Sequence, residues 1–206
     1  MPSWPCLALY ILVASLDCFF VIKRSADPRA TLYSRLFRIF KYLLMPLLAL
    51  FYVTVCLTGF AVIPAQKLRP LILLSLFFAW GGDCLLELSP KYFPAGVLSF
   101  LLGHICYLIQ FLSKVSWTNL SPFYLLWVIP LGVFLWYMIR SLFTLPDTRP
   151  LRSVLFAYLA VLSLLPTAAV LRLSYASGAS AVFCILGSLL FVLSDSLLAF
   201  RMFKNV

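Results

Sequence analysis

Hydrophobic residues in this chain come in long blocks set apart by short polar stretches. Seven apolar segments stand at about 4–22, 39–63, 71–88, 93–112, 122–143, 152–173 and 180–200. Each approaches or exceeds the roughly 20 residues that a helix needs to cross a bilayer. The punctuation between them reads "KRSADPRATLYSR", "PAQKLRP", "SPKYFP", "SKVSWTNLSP", "TLPDTRP" and "SYASGAS". Proline stands where helices begin or end, as at Pro70, Pro94, Pro122 and Pro150. The pattern predicts an all-α, polytopic transmembrane bundle of about seven helices, a single integral membrane domain over residues 1–206. Each helix satisfies its own backbone, as hydrocarbon requires. The opening stretch has no basic leader and no small-residue cleavage site, so it reads as a retained first helix.

Composition agrees with this. Hydrophobic residues make up 64% of the chain and charged ones 11%, against roughly 45–50% apolar content in soluble domains. The net charge of +10 therefore points to headgroups and orientation, and away from nucleic acid as a partner. Loops 23–38, 89–92 and 144–151, with the C-terminal tail and boundary residues, hold eleven Lys and Arg; the opposite side holds Lys67, Arg69, Lys114 and Arg172. The basic side is expected to be cytosolic, which puts the C-terminus there and the N-terminus lumenal or outside. Six cysteines, all in apolar runs and without metal spacing, read as small hydrophobes in helix interfaces.

Acids break the apolar pattern. Asp83 and Glu87 lie in "FAWGGDCLLEL", Asp17 in the first segment and Asp195 in the seventh. Asp17, Asp83 and Asp195 each precede their segment's cytosolic end by five residues, about 7–8 Å at the helical rise. Lys41 opens the second segment on the same side, and Glu87 shares a helix face with Asp83. A charge near the bilayer centre costs at least ~2.5–3.5 kcal/mol, so several at one level suggest a shared polar pocket. That pocket is expected to face the cytosol, built by segments one, two, three and seven with segment four alongside. The structural alternative is an ion-pair network, Lys41 with Asp17 or Asp83, that holds helices in register.

His104 is the chain's one histidine, with Tyr107 three residues on and on its face. One histidine argues against zinc, and no metal or cofactor is expected. HExxH and GxSxG are both absent, which disfavours a serine nucleophile at Ser75, Ser99 or Ser194. Carboxylates remain. In a low-dielectric pocket one acid of a close pair can keep its proton while the other stays ionised. Such a pair suits acid-catalysed addition of water. Gly81 and Gly82 permit either close helix packing or ligand approach.

In order and spacing, "GGDCLLEL", "GVLSFLLGHICYLIQF" and "GSLLFVLSDSLLAF" resemble the YhhN-like membrane proteins, the lysoplasmalogenase family. Lys41 with Pro46 resembles that family's Lys-and-Pro second helix. Tyr158 in "FAYLAVLSLL" resembles a tyrosine in the helix before the Ser194-Asp195 one. The resemblance covers roughly Lys41 to Ala199. It implies hydrolysis of the vinyl ether bond of lysoplasmalogens to a fatty aldehyde and glycerophosphocholine or glycerophosphoethanolamine. It implies Asp83 and Asp195 as catalytic residues, with Lys41, His104, Tyr107, Tyr158 and Ser194 in support. The implied partners are the bilayer and a lysophospholipid substrate, with a homo-oligomer allowed; the implied location is the endoplasmic reticulum. Family members carry a further helix after the Ser-Asp one, whereas this chain ends at Val206. Glu87, at a position where family members can carry a non-acidic residue, makes the expected pocket more acidic. Two other readings stand beside the hydrolase: a proton-coupled or lipid transporter, for which intramembrane acids are equally expected, and a shortened inactive member acting as a regulator.

Overall fold

A computed structural model describes residues 3–26, 31–59, 67–115, 117–119, 122–144, 152–176 and 179–204. These residues form seven α-helices: α1 (Ser3–Ala26), α2 (Thr31–Thr58), α3 (Pro70–Leu88), α4 (Phe93–Leu112), α5 (Val128–Phe143), α6 (Arg152–Leu171) and α7 (Ala179–Lys204). Short 3-10 turns occupy Pro90–Tyr92, Trp117–Asn119, Pro122–Trp127 and Arg172–Ser174. There is no strand among the described residues. All seven helices are long and apolar enough to span a membrane, α5 when its 3-10 lead from Pro122 is included. The fold class is therefore the one expected.

Three boundaries differ from the hydropathy reading by five residues or more, each for a local reason. The second helix starts at Thr31, not near 39. Arg35 and Arg38 lower the hydropathy there without weakening the helix, because arginine is a good helix former. The added turns pack on α1: Tyr33 lies 6.4 Å from Phe20 between ring centroids, and Phe40, just beyond them, stacks on the same ring at 5.4 Å. The same helix ends at Thr58, because Gly59 takes φ 75° and its N–H bonds the Val55 carbonyl at 2.8 Å. That is a glycine stop set inside an apolar run; residues 60–63 lie outside the described residues. In the fifth segment the α-helix begins only at Val128. Pro130 has no N–H for the Leu126 carbonyl and its ring crowds that carbonyl, which keeps α geometry from starting earlier.

The chain divides into two compact units, residues 1–103 and 104–206, with the boundary inside α4. In the first unit α3 and the first part of α4 approach closely. A Cβ at Gly82 would sit 2.6 Å from the Phe100 ring, and one at Gly81 3.1 Å from Ser99 Oγ. Ser99 Oγ donates to the Phe78 carbonyl at 2.6 Å. Close packing, the first of the two readings of this glycine pair, is what it serves.

Proline shapes the α2–α3 contact. Pro46 lies inside α2 and has no N–H for the carbonyl four residues earlier, that of Tyr42. Trp80 of α3 supplies the missing donor: its indole Nε1–H bonds the Tyr42 carbonyl at 3.0 Å. In hydrocarbon an orphaned carbonyl would be costly, so the helix break on α2 becomes a hydrogen bond to α3.

The second unit is organised around α6, most of whose residues are buried. One cluster joins Leu159 to Met138 and Leu142 of α5, with Phe200 of α7 against it. The other joins Leu162 and Leu165 to Val192 of α7, with Tyr107, Phe111 and Tyr158 around it.

If the indole replaces the lost backbone donor, Trp80→Phe should lower stability in detergent by about 1–3 kcal/mol, the cost of an unsatisfied buried acceptor. Restoring the N–H with Pro46→Ala should make Trp80→Phe nearly harmless. A double-mutant cycle read by thermal unfolding measures this coupling; additive losses would refute it.

Candidate active site

Two polar centres emerge, one in each unit. In the first, α2 offers Lys41 and α3 offers Asp83 and Glu87 one helical turn apart. Lys41 Nζ lies 3.5 Å from Asp83 Oδ1 and 3.8 Å from Glu87 Oε1. The three side chains are only 22, 15 and 17% exposed. The Phe37 ring, one turn before Lys41, lies 5.6 Å from the ammonium, close enough for a cation–π contact. Asp17 of α1 has its Oδ1 buried with no hydrogen-bond partner among the described residues. One cation thus holds α2 against two acids of α3. The Trp80–Tyr42 bond fixes this pair of helices at the residue next to Lys41, about one turn before Asp83.

In the second unit, Asp195 of α7 meets Tyr158 of α6 and His104 of α4. The Tyr158 hydroxyl donates to Asp195 Oδ2. His104 Nε2 lies 3.4 Å from the same oxygen. The imidazole is 3% exposed and the carboxylate 11%. Two rings hold the imidazole edge-on: Tyr158 at 5.4 Å and Phe191 at 5.0 Å between centroids. Both of Asp195's neighbours, a phenol and an imidazole, can exchange protons, whereas the neighbour of Asp83 is an ammonium. The two carboxylates therefore sit in different chemistry.

The sequence-predicted residues fall as follows. Lys41 and Asp83 come together in the first unit, and His104, Tyr158 and Asp195 in the second. Tyr107 does not share the carboxylate; it packs on the Leu162–Leu165–Val192 cluster, with Phe111 6.1 Å away. Ser194 is exposed, about 100° around the helix from Asp195. The buried serine of that turn is Ser196, which bonds the Val192 carbonyl. Ser75 and Ser99 donate to the carbonyls of Ile72 and Phe78, an anchoring arrangement. No group of three His, Cys, Asp or Glu suited to a metal occurs among the described residues.

Two residues escaped the sequence reading. Trp80 carried a signal in Pro46, whose freed carbonyl needs a donor from a neighbouring helix. Phe191 stands four residues before Asp195 and so on the same face of α7, which is how it reaches His104.

The YhhN family model matches residues 36–205 of the chain. No curated protein and no solved structure matches it.

An ion pair this buried is costly to break, because removing one partner leaves the other uncompensated. Lys41→Met should destabilise the protein by about 3–5 kcal/mol, measured by thermal unfolding in detergent. Glu87→Gln, which leaves the Asp83 pair in place, should cost far less; equal losses would contradict the geometry.

Proposed function

The chain belongs to the YhhN family, to which lysoplasmalogenases belong, and on that premise we propose that it is a membrane hydrolase cleaving the vinyl ether bond of lysoplasmalogens. The substrate is a 1-alkenyl glycerophosphocholine or glycerophosphoethanolamine. The single observation that carries the reading is the Tyr158–Asp195–His104 arrangement, a nearly buried carboxyl group between two groups that exchange protons.

A vinyl ether hydrolyses through protonation at carbon. Asp195 gives a proton to the vinyl carbon two bonds from the ether oxygen. The oxygen lone pair then forms the oxocarbenium ion. Water adds to the cationic carbon and returns a proton to the carboxylate. The hemiacetal collapses to a fatty aldehyde and the glycerophospho-alcohol, so the sum is one water consumed. Tyr158 orients Asp195, and His104 shuttles its proton. The family resemblance implies Asp83, held by Lys41 in the first unit, as the second catalytic carboxylate. Tyr107 and Ser194 take supporting roles on the substrate side. The eleven-to-four charge bias supports a cytosolic C-terminus, and the family resemblance supports the endoplasmic reticulum membrane as its place.

Purified protein in detergent, given a 1-alkenyl lysophospholipid, should release aldehyde. In heavy water that aldehyde should carry one deuterium on the carbon beside the carbonyl, the mark of protonation at carbon. Asp195→Asn should slow release by about 10²–10⁴-fold, the range of general acid catalysis; Asp83→Asn should lower it too, its activity read against its thermal stability because Lys41 loses a partner. Absence of aldehyde from the wild type, with solute movement in liposomes, would put the protein among carriers instead.

A further inference from the structure

Beside the Asp195 centre, within the second unit, lies a cleft of about 220 Å³. Its walls include Tyr107 and Phe111 of α4, Leu165 of α6, and Cys184, Gly187 and Phe191 of α7. Almost every group is apolar. Phe191, which lines the cleft, also packs on the His104 ring, so the cleft begins where the polar centre ends. At the far end the Phe111 carbonyl accepts a 2.7 Å hydrogen bond from Tyr175, and the Arg172 guanidinium lies 5.2 Å from the Phe111 ring. These contacts tie Phe111 to the turn that follows α6. Gly187 is exposed, and a Cβ added there would meet nothing within 4 Å. The missing side chain leaves the cleft open on the outer face of α7.

We propose that this cleft seats the hydrocarbon chain of a single-chain lipid, entering sideways past Gly187, and so sets the position of the bond presented to Asp195. The identity of that bond rests on the hydrolase reading; the occupancy of the cleft does not. Length supports the assignment. From Asp195 back to Cys184 is eleven residues of α7, about 16 Å at the helical rise, close to the length of one lipid chain, since two end to end fill the ~30 Å hydrocarbon core. Chemistry supports it too. An apolar slot with a proton-exchanging carboxyl at one end fits a chain whose reactive polar link lies at its head. The bilayer is as apolar as the cleft, so the cleft gains little from transfer out of lipid. Its contribution is positional: it holds the head of the chain in register, where a displacement of about 1 Å can cost a hundredfold in rate.

Two measurements test this. The first uses a saturated 1-O-alkyl lysophospholipid, which has no vinyl bond to cleave, with a diazirine in mid-chain. On irradiation its adducts should concentrate on α4 around Phe111 and on α7 around residues 183–191. Gly187→Phe, which fills the open position, should reduce them at least tenfold; Leu190→Phe, on the exposed surface of the same helix, should not. The second follows alkylation of Cys184 by peptide mapping in the wild type, which adding the alkyl lipid should slow. Adducts spread evenly over all helices and indifferent to Gly187→Phe, with Cys184 unprotected, would overturn the cleft assignment even if aldehyde is released. Specific cleft labelling without aldehyde release would sustain the cleft and defeat the hydrolase reading. If both hold, Gly187→Phe should lower the long-chain to short-chain ratio of kcat/KM at least tenfold.

Discussion

Hydrocarbon offers no water to a polar group, so each one that enters it must find its partner inside the protein. The arrangement of this chain follows from that constraint. Pro46 strips a donor from α2, and Trp80 returns it from α3. Asp83 and Glu87 enter an apolar helix, and Lys41 meets both. Asp195 enters α7, and Tyr158 and His104 close on one of its oxygens. In each case an internal satisfaction that a soluble protein would leave to solvent becomes a bond between helices. The polar residues therefore do the work of register that apolar packing in lipid does weakly, since lipid tails compete equally for apolar faces.

The same constraint separates structural polarity from chemical polarity. The Lys41 cluster is a charge-compensated tie, with one ammonium against two acids; its first consequence is to hold α2 on α3. The structural alternative considered from the sequence is thus realised between Lys41 and Asp83. The Asp195 centre is built differently. Its carboxylate meets a phenol and an imidazole, neither of which carries a permanent charge, and both of which can pass protons. An apolar cleft shares Phe191 with this centre, a lining that suits the hydrocarbon proposed for it.

Membership of the YhhN family and the geometry around Asp195 are the two grounds of the proposed ether hydrolase. The family match is a statement about sequence over residues 36–205. The Tyr158–Asp195–His104 contact is a statement about side chains drawn from three helices. The proposal asks little of the protein, because a vinyl ether needs only a proton delivered to carbon, a stabilised cation and one water.

Much was legible before any coordinates. Seven spans followed from block hydropathy, because crossing hydrocarbon demands about twenty apolar residues in a row and leaves no ambiguity with strands. The residues worth attention followed as well, because an acid in such a block is too costly to be incidental. The helix ends were less legible: Gly59 and Pro130 act through backbone conformation, which hydropathy does not weigh, and Arg35 and Arg38 look like a loop while forming a helix. Only the tertiary structure decided the partnerships. That Lys41 takes Asp83 and Glu87, that Tyr158 and His104 converge on Asp195, and that Tyr107 turns to the cleft instead, depends on which faces of separate helices meet. Position along one helix determines depth and face; the rotation of each helix against its neighbours comes from the packing of side chains remote in sequence.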